Sequence, residues 1–161
     1  MSNASSAPQF PMHLHEPLEY HCPLCAIIAG SEHGQTTVWH DHLSIAVVSR
    51  SHHPQNAGSL LLCSLEHFEN IYVLPQEVGA HLFGVSQRLA IALKQALECD
   101  GVSTRQHNEP AGTQEVWHYH QHIIPRYTGD NFYTEHPVPM ALEQRIEFAS
   151  RIKAVLAKSA P

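Results

Sequence analysis

Three histidines at alternating positions, His118, His120 and His122, constrain the fold of this chain more than any other feature. They stand in an apolar segment at residues 117–126. Successive side chains of a β-strand point to opposite faces, so a strand places the three imidazoles on one face, each about 6.6 Å from the next. A helix would scatter them around its surface. The segment therefore predicts a strand that presents a row of imidazoles.

A row of neutral imidazoles offers nucleophilic nitrogens, hydrogen-bond donors and metal ligands to one small anionic group. Histidine is common throughout this chain, at 15 of 161 residues, so the spacing alone leaves open a strand face whose histidines are merely solvated. The net charge of −6 and the lack of any basic run exclude a general binder of nucleic-acid polymers. Any phosphate chemistry must therefore be local to a pocket.

The length and composition indicate one globular domain, with 43% hydrophobic and 15% charged residues. Residues 1–19 lack an apolar stretch long enough for a signal peptide, and no later segment predicts a membrane span. We expect a flexible N-terminal tail at residues 1–19, in which His13 and His15 are solvated. A single domain at residues 20–161 follows the tail.

Cys22 and Cys25 lie in a predicted short helical turn that ends at Gly30. Two thiolates separated by two residues can chelate one metal ion or form a redox pair. A thioredoxin-like redox motif follows a strand and precedes a long helix, and neither element is predicted here. The pattern favours a metal site, with packed structural cysteines or a redox pair as alternatives. Four cysteines in all suit a reducing compartment, which predicts a cytoplasmic location.

Hydrophobic patterns place the other elements along the chain. Apolar residues recur at three- and four-residue steps from 75 to 98, which predicts a long amphipathic helix with a proline at its start. A second helix is expected at about 139–158. Strands are expected at residues 38–40, 43–48, 59–63 and 102–107, the first two as a hairpin.

Residues 118–126, His-Tyr-His-Gln-His-Ile-Ile-Pro-Arg, resemble the signature of the histidine triad (HIT) family, which is His-x-His-x-His, two apolar residues and often Pro-Arg. The resemblance extends back through residues 108–116, which look like the family's glycine-containing loop and Gln-x-Val lead-in, and further back to Cys22. It identifies the chain as a member of the HIT family. The fold it implies is α+β, an antiparallel sheet of about five strands with one long helix and a C-terminal helix.

The resemblance also implies a mechanism. In the family the middle histidine, here His120, attacks the α-phosphorus of a nucleotide ester, anhydride or phosphoramidate, and water or another acceptor resolves the nucleotidyl-imidazole. A neutral imidazole is a competent nucleophile near neutral pH. His122 would donate to a phosphate oxygen or to the leaving group, and His118 completes the triad. The substrate-binding residues expected from the loop are Gln114, Gly112, Thr113 and Asn108. For Asn108, capping of a turn is an equal alternative.

In zinc-bearing members the Cys-x-x-Cys joins a histidine after an apolar strand and the first histidine of the triad. The metal ligands that the resemblance implies are Cys22, Cys25, His67 and His118. A Cys₂His₂ set forms a closed structural zinc site, so the metal would tie the N-terminal segment to the catalytic strand without touching substrate. It would also fix the ring of His118, two residues from the nucleophile.

The sequence departs from the family pattern around the sugar and the glycine-rich loop. Ser51 stands near the position of an aspartate that often binds the ribose, and Ser59 stands where many members have another histidine. Thr113 replaces the glycine before Gln114, and residues 107–109 replace an Asn-x-Gly start. The exact substrate is therefore left open.

We expect a homodimeric nucleotide hydrolase or nucleotidyl transferase that acts at an α-phosphate through His120. One alternative is a zinc-stabilised nucleotide-binding protein with little turnover. Another is a metal-binding module in which the histidine strand is all ligand. Binding of a single zinc would argue against the metal-binding module, because a Cys₂His₂ site leaves His120 and His122 free whereas a histidine-strand site would bind more metal.

Overall fold

The computed structural model describes residues 14–31 and 34–158 and has the expected α+β architecture. In chain order the elements are α1 (Pro23–Ile28), β1 (Thr37–His40), β2 (Ser44–Val48), β3 (Ser51–His52), β4 (Leu60–Ser64), α2 (Gln76–Leu97), β5 (Gly101–Gln106), β6 (His120–Arg126), β7 (Val138–Pro139) and α3 (Leu142–Lys158). No helix in these ranges has the length and apolar character needed to cross a bilayer.

Five strands form one antiparallel sheet in the order β1-β2-β4-β6-β5, and β3 pairs with β7 in a separate two-stranded ribbon. The strand β6 lies between β4 and β5, so its backbone is hydrogen-bonded on both sides. His120 pairs with Cys63 and His122 pairs with Leu61 of β4. A strand held on both edges is a rigid mount for a reacting side chain.

The two faces of the sheet bury different sets of residues. The helices α2 and α3 cover one face, where the main core includes Leu62, Ile123 and Leu89. On the opposite face, α1 packs through Leu24 and Ile27 over part of the sheet. Since side chains alternate along β6, His120 and His122 share this second face. The face that α1 leaves open therefore carries the histidines.

The long helix follows its sequence pattern. The spaced apolar residues that predicted it all lie buried, and they are Val78, Leu82, Val85, Leu89, Leu93 and Leu97. Burying one such side chain contributes roughly 1.5–3 kcal/mol. The helix ends where Glu98 adopts the left-handed conformation, with φ of 53°. The stripe fixes α2 against the sheet and so helps to hold β6.

The Pro-Arg end of the histidine segment is held by a buried network. Arg126 Nη2 donates to Asp130 Oδ1 at 2.6 Å, and Arg126 holds the pKa of that carboxyl well below its usual range. Asn56 Nδ2 donates both to Asp130 Oδ2 at 2.7 Å and to the Pro125 carbonyl at 2.8 Å. These contacts tie the loop before β4 to the end of β6.

The described part of the N-terminal segment lies against the loop after β4. The backbone amides of His15 and Glu16 donate to the two carboxylate oxygens of Glu69 at 2.8 and 3.2 Å. The ring of His15 stacks on Trp117, with centroids 5.8 Å apart. His15 was expected to be solvated, and it packs instead because an aromatic partner lies beside it. His13 lies outside the described residues, and the division at residue 19 stays a prediction.

Candidate active site and metal cluster

An open cleft of about 430 Å³ lies on the histidine face of the sheet. One wall is apolar and is formed by Leu24 and Ile27 of α1, Val47 of β2 and Leu61 of β4. His120 and His122 of β6 line the opposite side, together with His107. A cleft that combines an apolar wall with a few converging polar groups is typical of a small-molecule site.

The strand carries two histidines of the triad instead of three. His120 and His122 point from β6 to the same face with ring centroids 5.0 Å apart. His118 precedes the strand, and its ring packs against His67 at 4.7 Å. The sequence placed all three rings in one row. The irregular backbone before β6 breaks the alternation and separates His118 from the cleft.

The orientation of His120 is set by the backbone. Its Nδ1 lies 2.7 Å from the carbonyl oxygen of His118. A carbonyl only accepts hydrogen bonds, so Nδ1 carries the hydrogen and Nε2 holds a lone pair. Burial lowers the pKa of His120, and the bond to His118 opposes that shift only in part. The imidazole is therefore neutral near pH 7, as a nucleophile must be.

His122 is held neutral more strongly. Burial first, and then the neighbouring His120, His107 and Arg105, lower its pKa to about 3. A cationic His122 would have to form beside other groups that carry or acquire positive charge. Near neutral pH it can donate a hydrogen bond from one ring nitrogen, but it is not an imidazolium that could act as a general acid.

Two of the four expected loop residues line the cleft, Thr113 and Gln114. Both polar atoms of the Gln114 side chain form hydrogen bonds within the protein. Its Nε2 donates to the carbonyls of Glu69 at 2.6 Å and Val116 at 3.0 Å, and its Oε1 accepts from the Glu109 amide at 2.9 Å. In this arrangement Gln114 ties the loop to its neighbours.

Gly112 and Asn108 do not line the cleft. Asn108 exchanges two side-chain hydrogen bonds with Gln106 and accepts one from the Ile71 amide at 2.9 Å. This is the turn-ordering role that the sequence left open for Asn108. Substrate contact by these residues stays a prediction.

Several cleft residues were not found from the sequence as site residues. Arg145 of α3 is buried beside the cleft, and its Nη2 donates to the Val48 carbonyl at 3.1 Å. No local pattern distinguishes it from the other charged residues of that helix. His107 could have been suspected, because it begins the segment that departs from the family's Asn-x-Gly. Ser49 and Ser51 also line the cleft near the predicted sugar position.

The four expected metal ligands meet in one cluster. One donor atom from each of Cys22, Cys25, His67 and His118 lies within 4.8 Å of the others. The Nδ1 of His118 is 3.4 Å from Cys22 Sγ and 3.5 Å from Cys25 Sγ, and His67 Nδ1 is 3.2 Å from Cys25 Sγ. In a tetrahedral zinc site with ordinary bond lengths, sulfur and nitrogen ligands lie about 3.6 Å apart. The donor set and its spacing fit zinc.

The other ring nitrogens of the two histidines have partners of the kind that orient metal ligands. His118 Nε2 lies 2.9 Å from the Ser64 carbonyl, and His67 Nε2 lies 2.8 Å from the Glu16 carboxylate. Both rings therefore present Nδ1 to the cluster. Burial first, and then the neighbouring Cys22, raise the pKa of Cys25 to about 11. A bound cation would counter this by stabilising the thiolates.

Comparisons with known proteins agree with this geometry. The family profile of the HIT domain matches residues 31–129. The protein hit of Bacillus subtilis is 34% identical over 112 residues, which are 69% of this chain and 75% of that protein. The chain belongs to the HIT family, as its histidine segment indicated.

Two solved structures are similar in fold. A zinc-bound histidine triad family protein from Mycobacterium smegmatis is 27% identical with a TM-score of 0.73, over 86% of this chain and 94% of that one. A diadenosine triphosphate hydrolase from Plasmodium falciparum is 21% identical with a TM-score of 0.66, over 77% and 78%. The second likeness shows the fold alone. The first agrees with the Cys₂His₂ cluster, which confirms the expected zinc site.

Proposed function

We propose that this protein cleaves nucleotide substrates at the α-phosphorus through a covalent nucleotidyl intermediate on His120. The observation that carries this proposal is the bond from His120 Nδ1 to the His118 carbonyl at 2.7 Å. It leaves the lone pair of Nε2 on the cleft side, on a ring whose burial favours the neutral form. Such a nitrogen is a fixed, unprotonated nucleophile.

In the first half of the reaction, Nε2 of His120 forms a bond to phosphorus while the leaving group departs from the opposite side. The bond to His118 stabilises the positive charge that the ring gains, because Nδ1 keeps its hydrogen. A neutral His122 beside it donates one hydrogen bond to a phosphoryl oxygen. In the second half, water or another acceptor displaces the ring and releases the nucleotide. Strand β6 supplies the fixed position that in-line attack requires.

The nucleoside would lie along the apolar wall of the cleft. Leu24, Ile27 and Val47 offer the surface on which a purine or pyrimidine ring can pack. Ser51 and Ser49 lie at the rim, where hydroxyl groups can meet the ribose. A serine makes weaker contacts to a ribose diol than an aspartate does, because a charged acceptor forms the stronger hydrogen bond. We therefore expect modest selectivity for the sugar.

Zinc held by Cys22, Cys25, His67 and His118 would be structural. Bound there, it supplies charge neutralisation for two thiolates and a crosslink between α1 and the segment before β6. These four residues would complete a tetrahedral ligand set, which would leave no position for substrate. The ring of His118 belongs to this cluster, so its part in catalysis is to position the peptide that holds His120.

A nucleotide-binding protein with little turnover is the second candidate. One observation favours it, which is that both amide hydrogens of Gln114 bond to protein carbonyls. In that state Gln114 has no hydrogen left for a phosphoryl oxygen. Turnover would then depend on the loop amides and on the histidines themselves.

A homodimer and a cytoplasmic location stay predictions. Supporting the dimer, β5 is an edge strand of the sheet, and the side chains of Phe83 and Ile91 are exposed on the adjoining helix α2. An edge strand beside exposed apolar groups suits pairing with a second copy. The reducing cytoplasm is inferred from the four cysteines, all of which are free.

The test is incubation with adenosine 5′-phosphoramidate and with diadenosine polyphosphates, followed by chromatography for AMP. The wild-type protein should release AMP from at least one of them. A His120→Ala variant should release none, and His40→Ala, an exposed histidine on β1, should match the wild type. Nucleotide binding without release of AMP by the wild type would favour the second candidate instead.

A further inference from the structure

A fourth histidine, His107, enters the cleft from the side of the edge strand. It follows β5, which ends at Gln106, and it lines the same cleft as His120 and His122. Its ring meets that of His122 edge to face, with centroids 5.8 Å apart and an angle of 79°. The row on β6 is thus extended by a histidine that follows the neighbouring strand β5.

Two groups of the loop hold the His107 ring in place. Its Nδ1 lies 2.9 Å from the Gly112 carbonyl oxygen and 2.8 Å from Thr113 Oγ1. Because the carbonyl can only accept, Nδ1 carries a hydrogen that both oxygens share. The remaining nitrogen, Nε2, is then the atom through which His107 can exchange a proton.

Thr113 holds His107 from a strained backbone position. Its φ is 64°, in the left-handed region, which is strained for a β-branched residue. Glycine would adopt this conformation without strain. Thr113 in turn provides a hydroxyl group that glycine lacks, and that hydroxyl is bonded to His107. Thr113 and His107 are therefore coupled, because the strained residue supplies the hydroxyl group that holds the histidine ring.

The three histidines of the triad leave one chemical task unfilled. Both ring nitrogens of His118 are engaged, by the cysteine sulfurs and by the Ser64 carbonyl. Nε2 of His120 is the nucleophile. His122, with a pKa lowered to about 3 by burial, has no proton to give up near neutral pH. An alkoxide, phenolate or amide leaving group still requires a proton as it departs.

We propose that His107 is a catalytic acid and base of this site, exchanging a proton with the leaving group and then with water through Nε2. The inference rests on the proposed function, since it assumes attack by His120. It also indicates a substrate class, which is nucleoside monophosphate esters and amides whose leaving groups are basic.

Each half of the reaction moves one proton through His107. Nε2 of His120 bonds to phosphorus, the bond from phosphorus to the leaving oxygen or nitrogen breaks, and that atom takes the proton from Nε2 of His107. In the second half, a water oxygen bonds to phosphorus, the bond to His120 breaks, and one water proton returns to His107. The other hydrogen of the water stays on the product phosphate, which releases it to solvent.

Some of the charged and titratable groups that face His107 disfavour positive charge in the cleft, and others favour it. The rings of His120 and His122 and the guanidinium of Arg105 share its cleft and disfavour a second cation. Glu115, also in the cleft lining, favours one. A bound phosphate would add negative charge beside the ring.

The experiment measures how the loss of His107 depends on the leaving group. The substrates are p-nitrophenyl, phenyl and p-methoxyphenyl esters of AMP, which differ in the basicity of the departing phenolate. The His107→Gln variant should lose about 100-fold or more in kcat/KM with the p-methoxyphenyl ester, and less than about 5-fold with the p-nitrophenyl ester. An equal loss across the series, or no loss, would overturn the proposal.

Variants of Thr113 provide the matched control. Thr113→Val keeps the β-branched shape and removes the hydroxyl, whereas Thr113→Ser keeps the hydroxyl. The valine variant should show the same trend with leaving-group basicity, about 10-fold in size, and the serine variant, which keeps the hydroxyl group, should show a smaller trend than the valine variant. If His107→Gln fails to fold by circular dichroism, this pair decides the question in the same way. Failure of His120 chemistry would look different, because the wild type would then release no p-nitrophenolate.

Discussion

The carbonyl oxygen of His118 accepts a hydrogen bond from Nδ1 of His120 at 2.7 Å. One peptide group thus joins a ligand of the metal cluster to the proposed nucleophile. The ring of His118 faces two sulfurs, while its backbone faces the catalytic ring. A change that disturbs the metal cluster should therefore alter the orientation of the His120 ring.

Removing the metal should lower both stability and activity, the activity only in part. Zinc held by the cluster would link α1 to the segment before β6, and closing a long loop in the folded state is worth at least about 2 kcal/mol. For a domain of this size that corresponds to a fall in Tm of about 4–8 °C. Calorimetry with and without a chelator measures it. The chelator should have no further effect on Cys22→Ser, whereas an unchanged Tm in the wild type would refute a structural metal.

The stability of the fold should fall in acid because of His122. In the folded protein its pKa is about 3, while an unfolded histidine titrates near ~6.5. The unfolded state therefore takes up the proton first, and stability is complete above the unfolded value and is lost as pH falls toward the folded one. The loss should reach about 2 kcal/mol near pH ~5.

Urea unfolding from pH 8 to 5 measures this loss, with His122→Gln as the comparison. Loss of zinc in acid affects both proteins alike. The difference between the two proteins in how the free energy of unfolding changes with pH therefore gives the contribution of His122. The variant should be less sensitive to pH by the amount stated. Parallel curves for the two proteins would contradict a neutral, buried His122.

The sequence predicted the scaffold well and the cleft less completely. The stripe from Val78 to Leu97 determined α2, because burial of a regular apolar face dominates helix packing. The cluster of Cys22 with His118 joins residues 96 apart. Only the family resemblance could bring these residues together, since no local pattern encodes such a contact.

The remaining differences have local causes. His118 left the expected row because the backbone before β6 is irregular, and His15 packs on Trp117 where solvation was expected. The role of His107 depends on a loop that folds back to place Gly112 and Thr113 against it. Loop conformation of this kind follows from several tertiary contacts at once, which a linear pattern does not contain.

The rate of the reaction should fall as the solution is acidified. An attacking imidazole must be unprotonated, and burial places the pKa of His120 below its ordinary value of ~6.5. The acid limb of kcat should therefore lie below that value. Single-turnover measurements between pH 8 and 5 locate it when chemistry is rate-limiting. An acid limb centred above ~6.5, or a rate that rises as the pH falls, would count against His120 as the nucleophile.

The most direct test of the covalent mechanism is intact-protein mass spectrometry after rapid base quenching of a single turnover, because the N–P bond of a nucleotidyl-histidine survives base and is hydrolysed in acid. The wild-type protein should gain the mass of one nucleotidyl group, on the peptide that contains His120, and lose it as AMP appears. His120→Ala should gain none and should keep far less than a tenth of the activity, since losing a covalent nucleophile removes several powers of ten in rate, about 10³ or more. Full turnover without the adduct, or more than about a tenth of the activity in His120→Ala, would contradict the mechanism.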